Sequence, residues 1–323
     1  MRVVRRFAVL PAAARGAVLA IGNFDGVHLG HRAVFEAARH RARACRTHWG
    51  VLTFEPHPRE VLTPETAPPR LTPFGLKARL IRELGADLLI VLPFDRALAG
   101  LPPEAFVADV LVGRIGARAV ATGVDFRFGH RRAGDVGTLA RLGRHHGIDV
   151  DTVEPVEIDG DRCSSTAIRM HLEAGHVDRA ARLLGRPHEV EGIVRTGDRR
   201  GHTLGFPTAN LAPRPARVQL PGTGVYAVTC RIRGEPGEPW HPAVANLGRR
   251  PTFDGEGLRL EVHLLDGEYA LYGRRLSVRF LERLREERRF AGPAELAEQI
   301  ARDCAAARRV LGAATLPIES PSA

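Results

Sequence analysis

The sequence predicts two domains in tandem: an α/β domain on a doubly wound parallel sheet, then a small antiparallel β-barrel with a C-terminal helix. Three observations carry this. The first half alternates short apolar runs with helix-like stretches at a spacing of about 30 residues, as βαβ units do. The second half turns to partly alternating, β-rich segments separated by Gly and Pro clusters. Between them Gly185-Arg186-Pro187 reads as a helix stop, dividing 1–186 from 187–323. The 323 residues suffice for two separate cores.

In the first half the apolar runs are 18–21, 51–54, 88–92 and 119–122. Continuous runs of this kind suit parallel strands covered on both faces. Helical stretches are expected at 31–45, 75–84 and 103–115. A further helical patch spans 165–184, with Ile168, Leu172, Val177, Ala180, Ala181 and Leu184 at helical spacing and a break near Gly175. Strands follow at 189–194, 225–232, 243–247, 258–265 and 276–281. The last helix, 293–311, starts with Pro293 and carries the apolar stripe Leu296, Ile300, Cys304, Ala307 and Leu311. The tail from Ala313 is expected to be disordered. No internal repeat relates the halves.

Composition excludes several functions. Lys77 is the single lysine against 46 arginines. A P-loop, which ends in Gly-Lys-Ser/Thr, is therefore absent, and so are the protein-kinase signatures. Cys45, Cys163, Cys230 and Cys304 form no C-x-x-C pair, which removes zinc-ribbon and thioredoxin readings and leaves reduced, unpaired thiols of a cytoplasmic protein. Basic residues before apolar 7–14 resemble a very short signal peptide, but Pro11 and Arg15 interrupt the pattern. No apolar stretch approaches the roughly 18 residues of a membrane span. The net charge of +10 invites a nucleic-acid reading. Against it, the arginines are spread among acids and only 6% of residues are aromatic, leaving little to stack bases on.

Two constellations carry chemistry. Gly22-Asn23-Phe24-Asp25-Gly26-Val27-His28-Leu29-Gly30-His31 lies between the first apolar run and the first helix. Glycines there let backbone approach a ligand, and a helix start offers free N–H groups to phosphate. His28 and His31, three apart, share a helical face and can donate to charge building on a phosphoryl group. Ser164-Ser165-Thr166-Ala167-Ile168-Arg169 offers three hydroxyls and a guanidinium at another helix start, more than an N-cap requires. In the second half, Gly205-Phe206-Pro207-Thr208-Ala209-Asn210 places a hydroxyl and an amide two residues apart, on one side of an extended strand. Both are oxygen ligands of the kind Mg²⁺ takes together with ATP phosphates.

The His-x-Gly-His segment resembles the signature of the Rossmann-like α/β nucleotidyltransferases, which attack a nucleotide α-phosphate and release pyrophosphate. Together with Ser164–Arg169, Thr53-Phe54-Glu55-Pro56-His57-Pro58 and Gly123-Val124-Asp125-Phe126-Arg127-Phe128-Gly129, it resembles the adenylyltransferase module of the bacterial bifunctional riboflavin kinase/FMN adenylyltransferase (FAD synthetase) family. Gly205–Asn210 in the second half, Ala245-Asn246-Leu247-Gly248-Arg249-Arg250-Pro251-Thr252-Phe253 and Glu261-Val262-His263-Leu264-Leu265-Asp266 resemble its kinase module.

The resemblance implies that the barrel phosphorylates riboflavin with ATP to FMN and that the first domain adenylylates FMN to FAD, both with Mg²⁺. It implies His28, His31 and Glu261 as catalytic residues, Glu261 being the base for the ribityl hydroxyl. Thr208 and Asn210 are the implied metal ligands. Gly22, Phe24, Gly30, Pro56, His57, Pro58, Asp125, Phe126, Ser164, Ser165, Thr166, Arg169, Pro207, Thr208, Asn210 and Arg285 are implied in nucleotide and flavin binding. Pro56–Pro58 and Asp125–Phe128 also suit ordinary turns. Ala167, His202, Gly267 and Ala270 stand where the family usually has Arg, Arg, Phe and Asp. Two alternatives remain at this point: an adenylyltransferase with a degenerate kinase half, and a nucleic-acid-binding regulator on the same fold.

Overall fold

The computed structural model describes residues 1–313 apart from 6, 196–205, 214, 216, 253, 254 and 268; for 249–252, 255–257 and 313 it describes the backbone alone. By packing, the chain divides into two compact units, Met1–Ser165 and Thr166–Ala323. His202 and the tail beyond residue 313 lie outside the described residues.

The first unit is a six-stranded parallel sheet. Its strands are β1 (Arg2–Arg5), β2 (Val18–Ile21), β3 (Trp49–Glu55), β4 (Leu88–Pro93), β5 (Ala119–Gly123) and β6 (Asp149–Val153), in spatial order β1-β4-β3-β2-β5-β6. Helix α1 (Leu29–Ala44) follows β2, α2 (Pro58–Leu62) and α3 (Phe74–Glu83) follow β3, and α4 (Arg96–Gly100) follows β4. The apolar runs are continuous because successive side chains enter two cores. Val18, Ala20, Val51 and Leu89 pack with Val34, Phe35 and Leu80 of α1 and α3. Leu19, Ile21, Leu52 and Ile90 pack on the opposite face with Val107, Leu111 and Leu139. Doubly wound packing is therefore observed as expected.

The differences lie at the edges. The basic N-terminal residues form edge strand β1, paired with β4 from Arg2↔Leu88 to Arg5↔Val91. Strand β6, sequence DVDTV, is a half-exposed edge with no apolar run to announce it. The expected helix 103–115 is a single α-turn, α5 (Pro103–Ala105), that continues as wider π-helical turns over Phe106–Ile115 and stops at Gly116, φ +66. Helix α6 (Val136–His145), capped by the Asp135 carboxylate accepting from Thr138 N–H, was not anticipated. A short hairpin, β7 (Glu157–Ile158) with β8 (Asp161–Arg162), leads to α7 (Ser165–Glu173).

In the second unit Gly175, at φ +80, separates α7 from α8 (Val177–Leu184), and Gly185 at φ +68 ends α8 at the expected stop. Six antiparallel strands then close a barrel: β9 (His188–Arg195), β10 (Ala209–Pro213), β11 (Gly224–Ile232), β12 (Trp240–Thr252), β13 (Gly255–Leu264) and β14 (Arg275–Arg285), in the order β10-β13-β12-β11-β14-β9. Alternation decides which side chains fill it. Leu211, Tyr226, Val228, Ala245, Leu260, Val262, Val278 and Phe280 are buried, and Tyr226 meets Phe280 edge to face at 5.4 Å. On the other face of β11 and β12, Val225, Ala227 and Val244 are covered by Cys304, Ala307, Val310 and Leu311 of α9 (Pro293–Ala313). Of the predicted stripe of the last helix, Cys304, Ala307 and Leu311 are thus packed, joined by Val310; Asp303, outside the stripe, is buried and held by Arg285. All four cysteines are free thiols.

Candidate active sites

The first site is built where β2 hands over to α1, at the C-terminal edge of the parallel sheet, where ligands of such sheets bind. Phe24, Gly26 and Val27 have φ of +50, +102 and +45. Left-handed backbone at a phenylalanine and a valine is strained and persists only when its surroundings hold it. Here Phe24 and Val27 are buried in the core. The Asp25 carboxylate between them accepts from the N–H groups of Leu71 and Thr72, and Gly26 N–H donates to Thr72 Oγ1 at 2.8 Å. The loop therefore delivers His28 to the N-cap position of α1 in a fixed pose. A Cβ at Gly22 would meet the Phe24 ring at 3.0 Å, and one at Gly30 would meet the His28 ring at 3.2 Å, so a larger residue at either position would press on these rings.

His28 and His31 cap the helix reciprocally. His28 Nδ1 accepts from His31 N–H at 3.3 Å, and His31 Nδ1 accepts from His28 N–H at 3.4 Å. The rings stack with centroids 3.4 Å apart, and the Phe24 edge meets His31 at 5.2 Å. With both Nδ1 atoms accepting, each neutral imidazole carries its hydrogen on Nε2. Two ring N–H donors thus stand side by side at the positive end of a helix, an arrangement suited to a phosphoryl group gaining negative charge. Cys163 Sγ accepts from Gly30 N–H at 3.3 Å and lies 3.6 Å from His28 Nδ1. Burial pushes this thiol's pKa up, so it stays protonated.

Two residues that motif reading passed over, Lys77 and Arg70, sit near this loop together with His57, which it named. Lys77 is fully buried, and its Nζ donates to the Asn23 carbonyl at 2.8 Å and to Glu55 Oε1 at 3.3 Å. Arg70 joins Glu55 at 3.0 Å and Glu60 at 2.5 Å. His57 caps α2 through Nδ1, which accepts from Arg59 N–H at 3.2 Å, and burial pushes its pKa down to about 4. Lys77 was legible in one respect: it is the only lysine in a chain that otherwise uses arginine.

Of the other expected residues, Ser165 Oγ donates to the Asp25 carbonyl at 2.7 Å and so joins the His28 loop, with Ser164 directly before it. Thr166 and Arg169 continue on α7, counted with the second unit. Pro56, His57 and Pro58 lie at the end of β3. Asp125 and Phe126 lie just past β5; Asp125 pairs with Arg162 at 3.1 Å and Phe126 stacks on Phe128 at 5.7 Å. The ends of β2, β3 and β5 thus supply three groups of expected residues to one edge of the sheet.

The second site lies on the outer face of the barrel. Register sets Glu261 of β13 opposite Asn210 of β10 on one side and opposite Asn246 of β12 on the other. Residues paired across strands share a face, so the three polar side chains form a row. His263, two residues from Glu261, has its Nδ1 2.8 Å from the Pro207 carbonyl, which accepts, and meets the Phe206 ring edge to face at 5.6 Å. It holds the segment leading to Thr208, immediately before β10. Arg259 Nε–H donates to Asn210 Oδ1 and lies 3.2 Å from Glu261 Oε1. One guanidinium thus engages both oxygens, and of the two expected metal ligands Asn210 is the one that it contacts. Arg285 is engaged by a carboxylate of the last helix: its Nε and a terminal nitrogen fork onto Asp303 at 3.0 and 2.7 Å, tying β14 to α9. Gly267 has φ +82, a left-handed turn position that suits glycine better than the family's Phe.

The chain resembles known proteins over most of its length. The FAD synthetase family model matches residues 10–167 and the riboflavin kinase model matches residues 184–311. The bifunctional riboflavin kinase/FMN adenylyltransferase of Pseudomonas fluorescens is 44% identical over 309 residues, 95% of this chain and 97% of that protein. The chain belongs to the bifunctional riboflavin kinase/FMN adenylyltransferase family. The family member of Escherichia coli K12 is 43% identical over 92% of this chain and 93% of that protein, and that of Bacillus subtilis 38% identical over 88% and 90%. A Streptococcus pneumoniae crystal structure described as a macrolide-efflux protein superposes with a TM-score of 0.85 at 30% identity, covering 95% of this chain and 98% of that one. Among the described residues no helix is long and apolar enough to cross a membrane. The family's two modules match in the chain order of the two units described above.

Proposed function

We propose that the family's two activities divide between the two sites, with FMN made on the barrel (187–323) and converted to FAD at the α1 N-terminus (1–186). The chain is a riboflavin kinase and FMN adenylyltransferase, producing FMN and FAD. One observation supports the assignment of the adenylyl step: the reciprocal His28–His31 cap, which commits both Nδ1 atoms to backbone N–H groups and puts the ring hydrogens on Nε2.

In the adenylyl step the FMN phosphate attacks the ATP α-phosphorus and pyrophosphate leaves. His28 and His31 donate to the non-bridging oxygens as their charge grows. Gly22 and Gly30 leave the room that this approach needs. Ser164 and Ser165 hold the departing phosphates, and Phe24, Pro56, His57, Pro58, Asp125 and Phe126 hold the flavin and adenosine parts. The rigid Asp25–Thr72 tie and the Lys77–Asn23 bond keep the loop from relaxing between states.

In the kinase step Glu261 accepts the proton of the ribityl 5′-hydroxyl as it attacks the ATP γ-phosphorus, and ADP leaves. Thr208 and Asn210 would hold Mg²⁺, with Pro207 setting their approach. The metal supplies neutralisation of phosphate charge when bound with ATP. His263 orients the Pro207 carbonyl and so the Thr208 hydroxyl. We place the reactions in the cytoplasm, in keeping with four free thiols, and assign the arginine excess to anionic substrates rather than to nucleic acid.

Two variants test the division. His28→Ala is expected to slow FMN-to-FAD conversion by about 10²–10³-fold, the loss typical of one such donor, while leaving riboflavin phosphorylation intact. Glu261→Gln is expected to stop FMN formation while leaving FMN-to-FAD conversion intact. If either single change abolishes both steps in folded protein, the assignment fails.

A further inference from the structure

Arg259 lies two residues before Glu261 on β13, so both side chains leave the same face of the strand. Its Nε–H donates to Asn210 Oδ1, and the same nitrogen lies 3.2 Å from Glu261 Oε1. One guanidinium therefore engages the amide oxygen assigned above to the metal and the carboxylate assigned to proton acceptance. Both Arg259 and Glu261 are about a quarter exposed, at 26% and 25%, so the contact is open to a ligand from solvent. Directly opposite Arg259 on β12 stands Gly248. The Glu287 carboxylate lies over that glycine, a second acidic group on this side of the barrel.

The contact has a consequence for nucleotide binding. An amide oxygen that accepts from a guanidinium presents it with a full positive charge a few ångströms away. A divalent cation brought to the same oxygen meets that charge at short range. The two cations compete, and the guanidinium, tethered by a flexible stem, is the one able to turn away.

We propose that Arg259 is the resident cation of the kinase site: it aligns Asn210 and Glu261 before nucleotide arrives and is displaced from Asn210 Oδ1 by Mg²⁺·nucleotide. Arg259 thereby raises the Mg²⁺ concentration that the kinase half needs. It acts as a positioning residue and takes no part in the bond-making step. This rests on the kinase-site reading given above.

The test is calorimetric titration of the full chain with ADP over a series of Mg²⁺ concentrations. Asn210→Ala defines the kinase component, as the part of Mg²⁺-dependent ADP binding that this variant removes. Arg259→Met keeps the stem and removes the charge, and Arg259→Gln is a second neutral variant should the first fold poorly. Both are expected to lower the Mg²⁺ concentration for half-maximal ADP binding about fivefold, the scale of a partly exposed ion pair. Arg259→Lys, which keeps a charge on a shorter reach, is expected to move back toward the parent. A midpoint unchanged or raised in folded neutral variants, with the Asn210→Ala loss intact, overturns the role of Arg259 and leaves the kinase site standing. Retention of all Mg²⁺-dependent ADP binding in Asn210→Ala overturns the metal assignment itself, and the proposal with it.

Discussion

Acid destabilises the α/β unit through His57. The imidazole caps α2 and sits within the fields of Asp25, Arg70, Lys77 and Glu60. Burial lowers its pKa from 6.5 to about 4; Arg70 and Lys77 push the same way, and Asp25 and Glu60 oppose them. In the unfolded chain the ring takes up its proton near pH 6.5, and in the folded chain only near 4. Between these values the unfolded state binds more protons, so stability rises with pH. The contribution is complete above about pH 6.5 and is lost as pH falls to 4. A shift of this size corresponds to about 3 kcal/mol by linkage. Solvent reaching the half-buried ring trims this to about 2 kcal/mol.

The two tryptophans fall one in each unit, Trp49 and Trp240. In a Trp240→Phe background Trp49 reports on the α/β unit alone. Urea unfolding at pH 7 and at pH 4.5 then compares the parent with His57→Asn, which keeps a capping acceptor that does not titrate. The parent is expected to lose about 2 kcal/mol more than the variant over that interval. An equal loss in both proteins would refute burial of a neutral His57 as the source of the acid sensitivity.

Three further perturbations follow from the contacts. Lys77→Met removes the donor to the Asn23 carbonyl and one partner of Glu55, and is expected to cost the α/β unit about 3 kcal/mol in the same unfolding assay; Lys77→Arg, too large for a fully enclosed site, is expected not to restore it. Cys163→Val takes away the acceptor of Gly30 N–H and the thiol beside His28 Nδ1; FMN-to-FAD turnover is expected to fall several-fold with riboflavin phosphorylation unchanged, and Cys163→Ser to recover most of it. Arg285→Gln leaves the Asp303 carboxylate buried without its fork and is expected to destabilise the barrel by about 3 kcal/mol; in the double variant with Asp303→Asn the loss is smaller than the sum of the single losses, measurable as a coupling in thermal melts.

Much of the fold was legible because it is written locally. The strands that became β2, β3, β4 and β5 are buried on both faces, and their apolar runs say so. Edge strands β1 and β6 escaped because an edge needs apolar side chains on few positions, and Arg2–Arg5 and Asp149–Val153 supply few. The π-helical turns over Phe106–Ile115 keep an apolar sequence without announcing their wider pitch. The same distinction holds at the sites. Gly22 to His31 is a contiguous segment, so its reciprocal cap has a local signature. The Asp25–Thr72 and Lys77–Asn23 bonds span 47 and 54 residues, and only the fold brings those partners together. Arg259 became visible only through the register that sets Asn210 beside Glu261. Arg285 matched a flavin-side position in sequence, whereas in the structure its guanidinium is engaged by a carboxylate on α9 that no local pattern marked.

The central claim is that two separate sites perform two successive reactions. Its most direct test is a time course of the parent, His28→Ala and Glu261→Gln proteins with riboflavin, ATP and Mg²⁺, the flavins being separated by chromatography. The parent is expected to form FMN first and FAD later, His28→Ala to accumulate FMN, and Glu261→Gln to leave riboflavin unchanged yet convert added FMN to FAD. A Glu261→Gln protein that still phosphorylates riboflavin at the parent's rate, or a His28→Ala protein that makes FAD at the parent's rate, would contradict the account.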